Sequence, residues 1–371
     1  MASKNHLKSS KASFFTQALM DWNATINQRQ MPWKGEKDPY KIWLSEVMLQ
    51  QTQVTQGLDY YNRFIQAFPN IVALANAKDE AVFKLWEGLG YYSRCRNLIY
   101  TARYIAFELG GHFPTNYVDI LGLKGVGPYT AAAIASFAFN LPYAVVDGNV
   151  FRVLARFFGI DTPTDSTAGK QLFADLAQQL LEKDNPGKYN QAIMDFGATV
   201  CKPALPICNH CVLSKNCVAF KNSQVNLLPI KTKTIQRKKR WFYYFIFHHK
   251  GTVGIQQRQQ KDIWHGLHEF YLVEATAAIQ WTEPVIQSWL TNQIGISNAQ
   301  VLDRSSIQSQ NLTHQQLSGQ FIHIQLNHIP AQLKGLSWVT AAQMKTLAFP
   351  RLITAYMDTF NSKSMPMIVR K

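Results

Sequence analysis

Residues 121–139 read LGLKGVGPYTAAAIASFAF and place a glycine turn between two stretches of helical character. Gly125 and Gly127 leave the backbone of the turn unobstructed, and Pro128 is a residue that commonly opens a helix. The amides at that helix start would point toward an anion, so the turn is a candidate phosphate clasp, although a plain connection has the same appearance. No Lys-Ser or Lys-Thr pair follows the glycines, so the stretch is not a P-loop and implies no nucleoside triphosphate.

The glycine turn belongs to a long helical region. From about residue 13 to residue 200 apolar residues recur at helical spacing, and almost no segment alternates as a strand would. Asp38 and Pro39 form an N-cap and first-turn pair ahead of one such helix. Further helices are predicted around residues 57–67, 79–87, 93–109, 116–121, 129–139, 148–158, 167–182 and 188–200.

The helical region ends in a C-x6-C-x2-C-x5-C array formed by Cys201, Cys208, Cys211 and Cys217. Thiolates crowded this closely, where no secretory signal is expected, favour a shared soft metal centre over disulfides. A zinc site usually pairs two C-x2-C-like bites and only one is present, so the spacing favours a four-iron cluster over zinc. Zinc, and buried cysteines that bind no metal, remain the alternatives. The fifth cysteine, Cys95, stands alone and we expect it to be structural.

The charge of the chain favours a polyanionic partner. The 371 residues include 38 Lys or Arg against 23 Asp or Glu, a formal net charge of +15. Such a field draws nucleic acid or an anionic membrane surface. No uninterrupted apolar run approaches the roughly 20 residues that a membrane span requires, so nucleic acid is favoured over membrane. We expect a cytoplasmic, monomeric protein.

The character of the sequence changes after the cysteines. Residues 231–240, KTKTIQRKKR, hold six basic residues and no acidic one, and the aromatic, β-prone segment WFYYFIF follows. The sequence therefore predicts a helical domain over residues 1–225, a basic linker over 226–240 and a second domain over 241–371.

The second domain is predicted to be α+β. Helical patterns near residues 283–292 and 340–360 are surrounded by short strand-like runs. These runs are WFYYFIF, GTVGIQQ, HEFYLVE, GQFIHIQLN and LSWV.

Two carboxylates in the helical region could carry chemistry. Glu46 lies in the apolar stretch IWLSEVML, where burial would raise its pKa and keep a proton available near neutral pH. Asp147 follows an Ala-Val-Val run and precedes a helical pattern, which places its carboxylate at a helix start. Each has an ordinary alternative, an exposed helix face for Glu46 and a plain helix cap for Asp147. One protonated and one ionised carboxyl together form the arrangement that cleaves glycosidic bonds through an oxocarbenium-like transition state.

Six motifs in order resemble the helix-hairpin-helix DNA glycosylases, and specifically the MutY-type adenine glycosylases. The resemblance spans residues 29–217 and rests on WLSEVMLQQTQV, WEGLGYYSRCRNL, LKGVGPYTAAAI, VVDGNVFRVLAR, NQAIMDFGATVC and the four-cysteine array. It implies a monofunctional enzyme of base excision repair that removes adenine opposite 8-oxoguanine or G from duplex DNA. It also implies a [4Fe-4S] cluster in the loop 201–217, and association with the nucleoid when the protein is on DNA.

The resemblance assigns roles to four residues. Glu46 matches the general acid that protonates the departing adenine, and Asp147 matches the carboxylate that stabilises or captures the sugar cation. Asn149 matches a residue that helps orient the acid and the water. Tyr129 stands where bifunctional relatives carry a Schiff-base lysine, and a phenol cannot form that adduct.

Further residues match DNA contacts of the family. Gln51, with Thr52 and Tyr91, matches residues that enter the DNA helix and hold the partner base, and Leu89 matches a further contact. From the glycine turn and the second domain we expect DNA contacts by Lys124, Gly125, Gly127 and Ser318. Lys34 stands where the family more usually has arginine. The walls of the adenine pocket are matched by Arg29, Trp33, Leu49, Val54 and Gln191.

The second domain resembles the Nudix-like module with which MutY proteins recognise oxidised guanine. It has six acidic residues and no clustered glutamates, so it cannot supply the metal-binding Nudix box and we exclude pyrophosphatase activity. The family's recognition loop, Phe-Ser-His or Leu-Ser-His-Gln, is matched here by Leu317-Ser318-Gly319-Gln320. Glycine at 319 removes a histidine ring, which predicts weaker discrimination for 8-oxoguanine.

Two other functions fit parts of the sequence. An endonuclease III-like glycosylase and lyase for oxidised pyrimidines is disfavoured by Tyr129 and by the additional C-terminal domain. A catalytically idle iron-sulfur protein that binds DNA or senses redox state would suit the basic surface and the cysteines. It would not need the pair Glu46 and Asp147.

Overall fold

The structure is a computed structural model that describes residues 2–232 and 236–362. It divides into two compact units, Met1–Asn76 with Arg96–Lys233, and Ala77–Cys95 with Thr234–Lys371. The segment Ala77–Cys95, which belongs to the helical region by sequence, therefore clusters with the second unit. Within the described ranges, none of the helices combines the length and the apolar character needed to cross a lipid bilayer.

Twelve α-helices precede residue 222 in the described part of the chain. They are α1 (Ala2–Thr25), α2 (Pro39–Leu49), α3 (Val54–Ala67), α4 (Ile71–Asn76), α5 (Asp79–Trp86), α6 (Tyr92–Arg103), α7 (Tyr117–Gly122), α8 (Pro128–Phe139), α9 (Gly148–Phe158), α10 (Thr167–Leu180), α11 (Pro186–Thr199) and α12 (Val218–Lys221). A π-helical turn, Tyr104–Glu108, extends α6. The helices predicted between residues 57 and 200 are confirmed to within about three residues at their ends.

Local chemistry sets the ends of the helices that carry the site. The Asp38 side chain accepts from the Tyr40 amide at the start of α2, and Pro39 occupies the first helical position. Helix α8 also has proline, Pro128, at its first position, but Gly127 before it has no side chain to cap the helix. Helix α9 ends at Gly159, whose φ of 71° is the left-handed conformation that glycine adopts without strain.

The core of the first unit is formed by α1 and α8–α11. Phe15, Leu19 and Trp22 on α1 are buried against residues of α9 and α11, and the Trp22 ring meets Phe196 edge-on. Helix α2 packs separately against α8. These packings bring the C-terminal half of α2 and the starts of α8 and α9 into one region.

The second unit contains a mixed eight-stranded sheet. Its strands are β1 (Lys238–His249), β2 (Thr252–Gln257), β3 (His268–Glu269), β4 (Tyr271–Ala275), β5 (Gln300–Arg304), β6 (Gln308–Asn311), β7 (Gln315–Gln325) and β8 (Ser337–Val339). The main path runs β3-β2-β1-β7-β5, and β4, β6 and β8 pair with β1, β7 and β2. Only β1 and β7 are parallel to each other among these described pairs.

Strand β1 is buried on both faces, which explains its continuous aromatic run. The helices of this unit are α13 (Glu283–Trp289), α14 (Ala341–Met344) and α15 (Arg351–Ser362). Phe245 on one face stacks on Trp289 of α13, and Tyr244 on the other face stacks on Phe321 of β7. Phe321 stacks in turn on Tyr356 of α15. The expected architecture, a mainly helical region followed by an α+β domain, is confirmed.

The expected recognition loop Leu317–Gln320 is not a loop here. These residues lie within β7, where Ser318 pairs with Trp241 of β1 and Ser309 of β6. Gly319 is buried, and a Cβ there would lie 2.8 Å from Cδ2 of Leu352. Hydrogen bonding on both sides holds the segment extended, so position 319 faces α15.

Candidate active site

Glu46 is a buried carboxyl at the centre of the first unit. It lies on α2 with 5% of its surface exposed, and the hydroxyl of Tyr129 on α8 hydrogen-bonds to it. Burial raises the pKa of Glu46 to about 7, the Tyr129 hydrogen bond opposes this, and the negative charge of Asp147 raises it further. The site therefore keeps a proton on Glu46 close to neutral pH.

Asp147 is the N-cap of α9, as the sequence predicts. Its Oδ1 accepts from the Val150 amide at 2.8 Å and its Oδ2 accepts from Asn149 Nδ2 at 2.7 Å. Burial raises the pKa of Asp147 above its usual value, and these hydrogen bonds and the positive charge of Arg152 offset only part of that rise. The two carboxyls thus differ in environment, since Asp147 has several donors that favour its ionised form.

Arg152, one turn further along α9, orients Asn149. Its Nη2 donates to Asn149 Oδ1 at 2.7 Å and to the Gly197 carbonyl at 2.7 Å, and its Nε donates to the Cys201 carbonyl at 2.6 Å. Because guanidinium only donates, Asn149 must turn its oxygen toward Arg152 and its NH2 toward Asp147. Nothing in the sequence singled out Arg152, although it lies within a quoted motif.

Tyr129 lies beside both carboxyls, at the second position of α8. Burial and the charges of Glu46 and Asp147 raise the pKa of its phenol well above the usual value. Its hydroxyl also lies 3.9 Å from Sδ of Met194 on α11. The residue is therefore a neutral hydrogen-bond donor, and it offers no amine at this position.

Asp195 joins two of the expected adenine-pocket residues, and no sequence pattern indicated it. The side chain of Asp195 is fully buried on α11. It accepts from Arg29 Nη1 at 2.8 Å, Lys34 Nζ at 3.1 Å, Gln191 Nε2 at 3.0 Å and Asn27 Nδ2 at 2.9 Å. Three of these donors come from residues more than 160 positions away, so no local signal could have revealed the cluster.

The other expected pocket residues lie on neighbouring elements. The buried Trp33 ring meets Tyr61 of α3 edge-on at a centroid distance of 5.2 Å. Leu49 is the last residue of α2 and packs on Gly57, and Val54 is the first residue of α3. Trp33 is buried, while Leu49 and Val54 are half-buried.

The glycine turn adopts a fixed conformation between α7 and α8. Gly125 has φ +82°, and a Cβ there would lie 2.7 Å from the Cβ of Asn97. The Thr101 hydroxyl donates to the Lys124 carbonyl at 2.8 Å, and Lys124 Nζ lies 4.0 Å from the centroid of the Tyr100 ring. Lys124 and Gly125 are exposed and Gly127 is half-buried, so the start of α8 is available to a phosphate.

The segment between α2 and α3 carries the predicted residues Gln51 and Thr52. Gln51 is exposed and has φ 58°, a left-handed conformation that is uncommon outside glycine. Its neighbour Gln50 donates to the Thr130 hydroxyl at 3.2 Å, which ties this segment to α8. Strained backbone of this kind is concentrated at functional sites.

A second turn of this kind, residues 88–91, lies in the second unit. Gly88, Gly90 and Tyr91 all have positive φ values, 92°, 79° and 48°. Arg94 donates to the carbonyls of Leu89 and Gly90, and Trp86 Nε1 also donates to Gly90. Leu89 is buried in this turn, whereas Tyr91 is 41% exposed and its hydroxyl hydrogen-bonds to Thr313.

The four cysteines line one cavity of the first unit, together with Arg156, Val200, Phe220 and Val225. Arg156 Nη1 lies 3.4 Å from Sγ of Cys201, and Cys217 Sγ lies 3.4 Å from the Arg156 carbonyl. Burial, with smaller contributions from the other thiols, raises the pKa of Cys211 to about 12. Within the described residues, no group of three or more His, Cys, Asp or Glu side chains is placed to hold a metal ion. Four thiols around one cavity beside a cation fit a multi-iron cluster by donor type.

Two family models match the chain. The HhH-GPD superfamily of base excision DNA repair proteins matches residues 44–178, and the NUDIX domain matches residues 242–359. The first range contains Glu46, Tyr129, Asp147 and the glycine turn. The fold and the site thus define a DNA glycosylase of the helix-hairpin-helix class.

Individual relatives show which kind of DNA glycosylase the chain is similar to. The adenine DNA glycosylase of Buchnera aphidicola subsp. Baizongia pistaciae is 37% identical over 263 residues, 69% of this chain and 73% of that protein. That of Homo sapiens is 44% identical over 55% of this chain and 39% of its own. A solved structure of a thermostable thymine-DNA glycosylase is 29% identical with a TM-score of 0.54, covering 58% of this chain and 99% of that one. The chain belongs to the adenine DNA glycosylase family.

Proposed function

We propose that this protein removes adenine from duplex DNA where it lies opposite 8-oxoguanine or G, as a step of base excision repair. The observation that carries the proposal is the pair formed by Glu46, with a pKa near 7, and Asp147, held by donors that favour its ionised form. The relatives described above, which are 37% and 44% identical to this chain over the aligned residues, are adenine DNA glycosylases.

Glu46 acts as the general acid. A base inside the duplex is out of reach, so the adenine must first be extruded, which costs a few kcal/mol. The proton moves from the Glu46 carboxyl to a ring nitrogen of adenine, and the N9–C1′ bond breaks with its electron pair passing to the base. The Tyr129 hydrogen bond fixes the carboxyl in place during this transfer.

Asp147 stabilises the oxocarbenium-like sugar that remains. Its carboxylate is oriented by Asn149, which is oriented in turn by Arg152. Water then adds to C1′ and releases one proton. Glu46 takes up one proton in turn, so its carboxyl is protonated again at the end of the reaction. A covalent sugar adduct on Asp147 would be an intermediate on the same path.

Tyr129 makes the enzyme monofunctional. A Schiff base at C1′ requires an amine, and the residue beside the two carboxyls is a phenol. We therefore expect removal of the base without an efficient lyase step on the DNA strand.

Cys201, Cys208, Cys211 and Cys217 would hold a [4Fe-4S] cluster, and their common position around one cavity supports this. Through these four thiolates the loop 201–217 would be cross-linked by a bound cluster. The exposed Lys215 and half-buried Lys202 of this loop would then contribute to a basic surface against DNA phosphates. Arg156, which contacts Cys201, would offset the negative charge of the thiolates.

We further propose that the DNA is engaged by both parts of the chain. The helical domain (1–225) would act on adenine, and the Nudix-like domain (241–371) would read the partner base. The basic linker (226–240), whose residues 238–240 already belong to β1, would lie near the phosphates. The contacts would be made by Gln51, Thr52, Leu89, Tyr91, Lys124, Gly125, Gly127 and Ser318. We expect a monomer that is cytoplasmic and lies on the nucleoid when bound to DNA.

Single-turnover kinetics on short synthetic duplexes test this function. Adenine opposite 8-oxoguanine and opposite G should be released, with adenine opposite C as the comparison, while thymine glycol and uracil should not be released. Borohydride added during the reaction should trap no efficient cross-link to DNA. Release of an oxidised pyrimidine with efficient trapping would identify a lyase of the endonuclease III type, and DNA binding without release would identify an idle binding module.

A further inference from the structure

Helix α5 ends beside the turn 88–91, and its last residues contact a distant stretch of the second unit. Glu87, the C-cap of α5, directly precedes Gly88, where the positive φ values of the turn begin. Glu87 Oε1 accepts from the Phe349 amide at 2.8 Å. Lys84 Nζ donates to the Leu347 carbonyl at 3.0 Å and to Glu87 Oε2 at 2.6 Å. We call Lys84, Glu87, Leu347 and Phe349 the α5 dock.

The far side of the α5 dock is fixed to the sheet of the second unit. Phe349 is fully buried and stacks on Phe270, and the Ala348 carbonyl accepts from the His268 amide of β3 at 2.9 Å. An ion pair on a helix surface contributes little to stability by itself. In the α5 dock each partner of the pair also bonds to a backbone group more than 260 positions away. The pair therefore joins α5 to a fixed part of the domain.

The turn 88–91 is anchored at its other end as well. Tyr91 hydrogen-bonds through its hydroxyl to Thr313, which lies between β6 and β7. Inside the turn the Leu89 amide donates to the Trp86 carbonyl at 3.0 Å, and the Arg94 amide donates to the Tyr91 carbonyl at 2.8 Å. The left-handed φ of Tyr91 is costly unless its surroundings impose it. The α5 dock and Thr313 are such surroundings, and both belong to the second unit.

We propose that Lys84 and Glu87 are positioning residues, through which the second domain holds the turn 88–91 ready to enter DNA. This inference rests on the proposed function, because it takes Leu89 and Tyr91 of the turn to be DNA contacts. A loop that is already ordered binds with higher affinity, since its ordering entropy is not lost on binding. Glu87 therefore strengthens the binding of a polyanion through the turn, although its own negative charge opposes that binding.

Hydrogen exchange of the Leu89 and Arg94 amides measures how firmly the turn is held. Glu87→Leu removes both bonds that Glu87 makes in the α5 dock and leaves the buried face of α5 unchanged. We expect the two amides to exchange about 10 to 100 times faster, the effect of losing hydrogen bonds to a charged group. Glu87→Gln keeps an acceptor for the Phe349 amide, so its effect should be smaller.

Affinity for DNA tests the consequence for recognition. The probe is a duplex with 2′-fluoro-2′-deoxyadenosine opposite 8-oxoguanine, because the fluorine destabilises an oxocarbenium-like state and slows loss of the base. A fully matched duplex of the same length is the reference. We expect Glu87→Leu to reduce the preference for the mispaired duplex about tenfold. The direction is informative, because removal of a negative charge by itself tightens binding to both duplexes.

Asp59→Asn is the matched control. It removes the acidic partner of another helix ion pair, Asp59–Arg63 at 3.1 Å on the exposed surface of α3. It changes the net charge of the protein by the same amount as Glu87→Leu. We expect it to leave both the exchange of the turn and the preference for the mispaired duplex unchanged.

Two results in a folded Glu87→Leu protein would overturn the inference. These are wild-type exchange at Leu89 and Arg94, and a wild-type preference for the mispaired duplex. If Glu87→Leu does not fold, Lys84→Met takes its place and the same two results decide, because it breaks the bond to the Leu347 carbonyl and leaves the Phe349 amide bonded. Failure of the proposed function is distinguishable, because wild type would then release no adenine, whereas the exchange measurement requires no DNA.

Discussion

Asn149 Nδ2 donates to Asp147 Oδ2 at 2.7 Å while Asn149 Oδ1 accepts from Arg152, so Asp147 is held by an amide that has no freedom to turn over. The same logic orients Gln191 against Asp195, with the charges reversed. In both pairs a charged residue fixes the direction of an amide.

Replacing Asn149 with leucine should slow adenine release without unfolding the protein. Asp147 would lose a donor that favours its ionised form, and a hydrogen bond to a charged group is worth about 1.5–3 kcal/mol. The expected single-turnover rate is about 10 to 100 times lower. Asn76→Leu is the control, because that exposed side chain bonds to the Val72 carbonyl one turn earlier on its own helix. A wild-type rate in folded Asn149→Leu would show that Asp147 does not depend on this amide.

The two glycines of the turn should respond differently to alanine. Gly125 has φ +82° and a Cβ there would lie 2.7 Å from Asn97, so Gly125→Ala should cost about 1–3 kcal/mol of stability. Gly127 has φ −94° and a Cβ there would meet no atom within 4 Å, so Gly127→Ala should change stability by about 0.5 kcal/mol or less. Thermal unfolding of the two variants checks this. Equal midpoints would contradict the conformation described for the turn.

Alanine substitutions of Cys201 and Cys95 should differ in how much iron the protein retains. Cys201→Ala removes one of the four thiols that line the shared cavity, and we expect iron and acid-labile sulfide to fall to near zero per chain, with a lower thermal midpoint. Cys95 is fully buried and lies outside that cavity, so Cys95→Ala should retain its iron. Full iron content in Cys201→Ala would exclude that residue as a ligand.

The pKa of Glu46 predicts a stability difference that depends on pH. Because the folded-state pKa is near 7 and the ordinary pKa of a glutamic acid side chain is 4.5, the protonated form is favoured in the folded protein. The contribution of protonated Glu46 to the free energy of unfolding is fully present below about pH 4.5, and it is lost as pH rises through 7. Glu46→Gln should therefore gain stability relative to wild type between pH 5 and pH 8, by up to about 3 kcal/mol. Urea unfolding of wild type and Glu46→Gln at pH 5 and pH 8 measures this gain. An equal difference in free energy of unfolding between the two proteins at both pH values would contradict the raised pKa of Glu46.

Helix positions, the burial of Glu46 and the helix-cap position of Asp147 were predictable because their signals are local. The Asp38-Pro39 and Gly127-Pro128 pairs mark helix starts, and Asp147 caps α9 as its sequence neighbours indicate. Strands β5 and β6 were not predicted, because QVLDR and QSQN are largely polar edge segments that gain their pairing from β7.

The features that the sequence did not predict depend on contacts between distant parts of the chain. Asp195 attracts Asn27, Arg29 and Lys34 from a distant part of the sequence, so its role emerges only from the fold. The family resemblance predicts a loop at Leu317–Gln320, and pairing with β1 and β6 makes this segment a strand. Gly319 packs against Leu352, so a side chain at position 319 would require Leu352 to move.

The central claim is that Glu46 supplies the proton that releases adenine. Single-turnover release from an adenine·8-oxoguanine duplex, measured between pH 5.5 and 9, tests it with wild type, Glu46→Gln and the surface control Glu182→Gln. We expect release by Glu46→Gln to be at least about 100 times slower, and the wild-type rate to fall as pH rises through 7. Wild-type release by a folded Glu46→Gln protein would contradict the account.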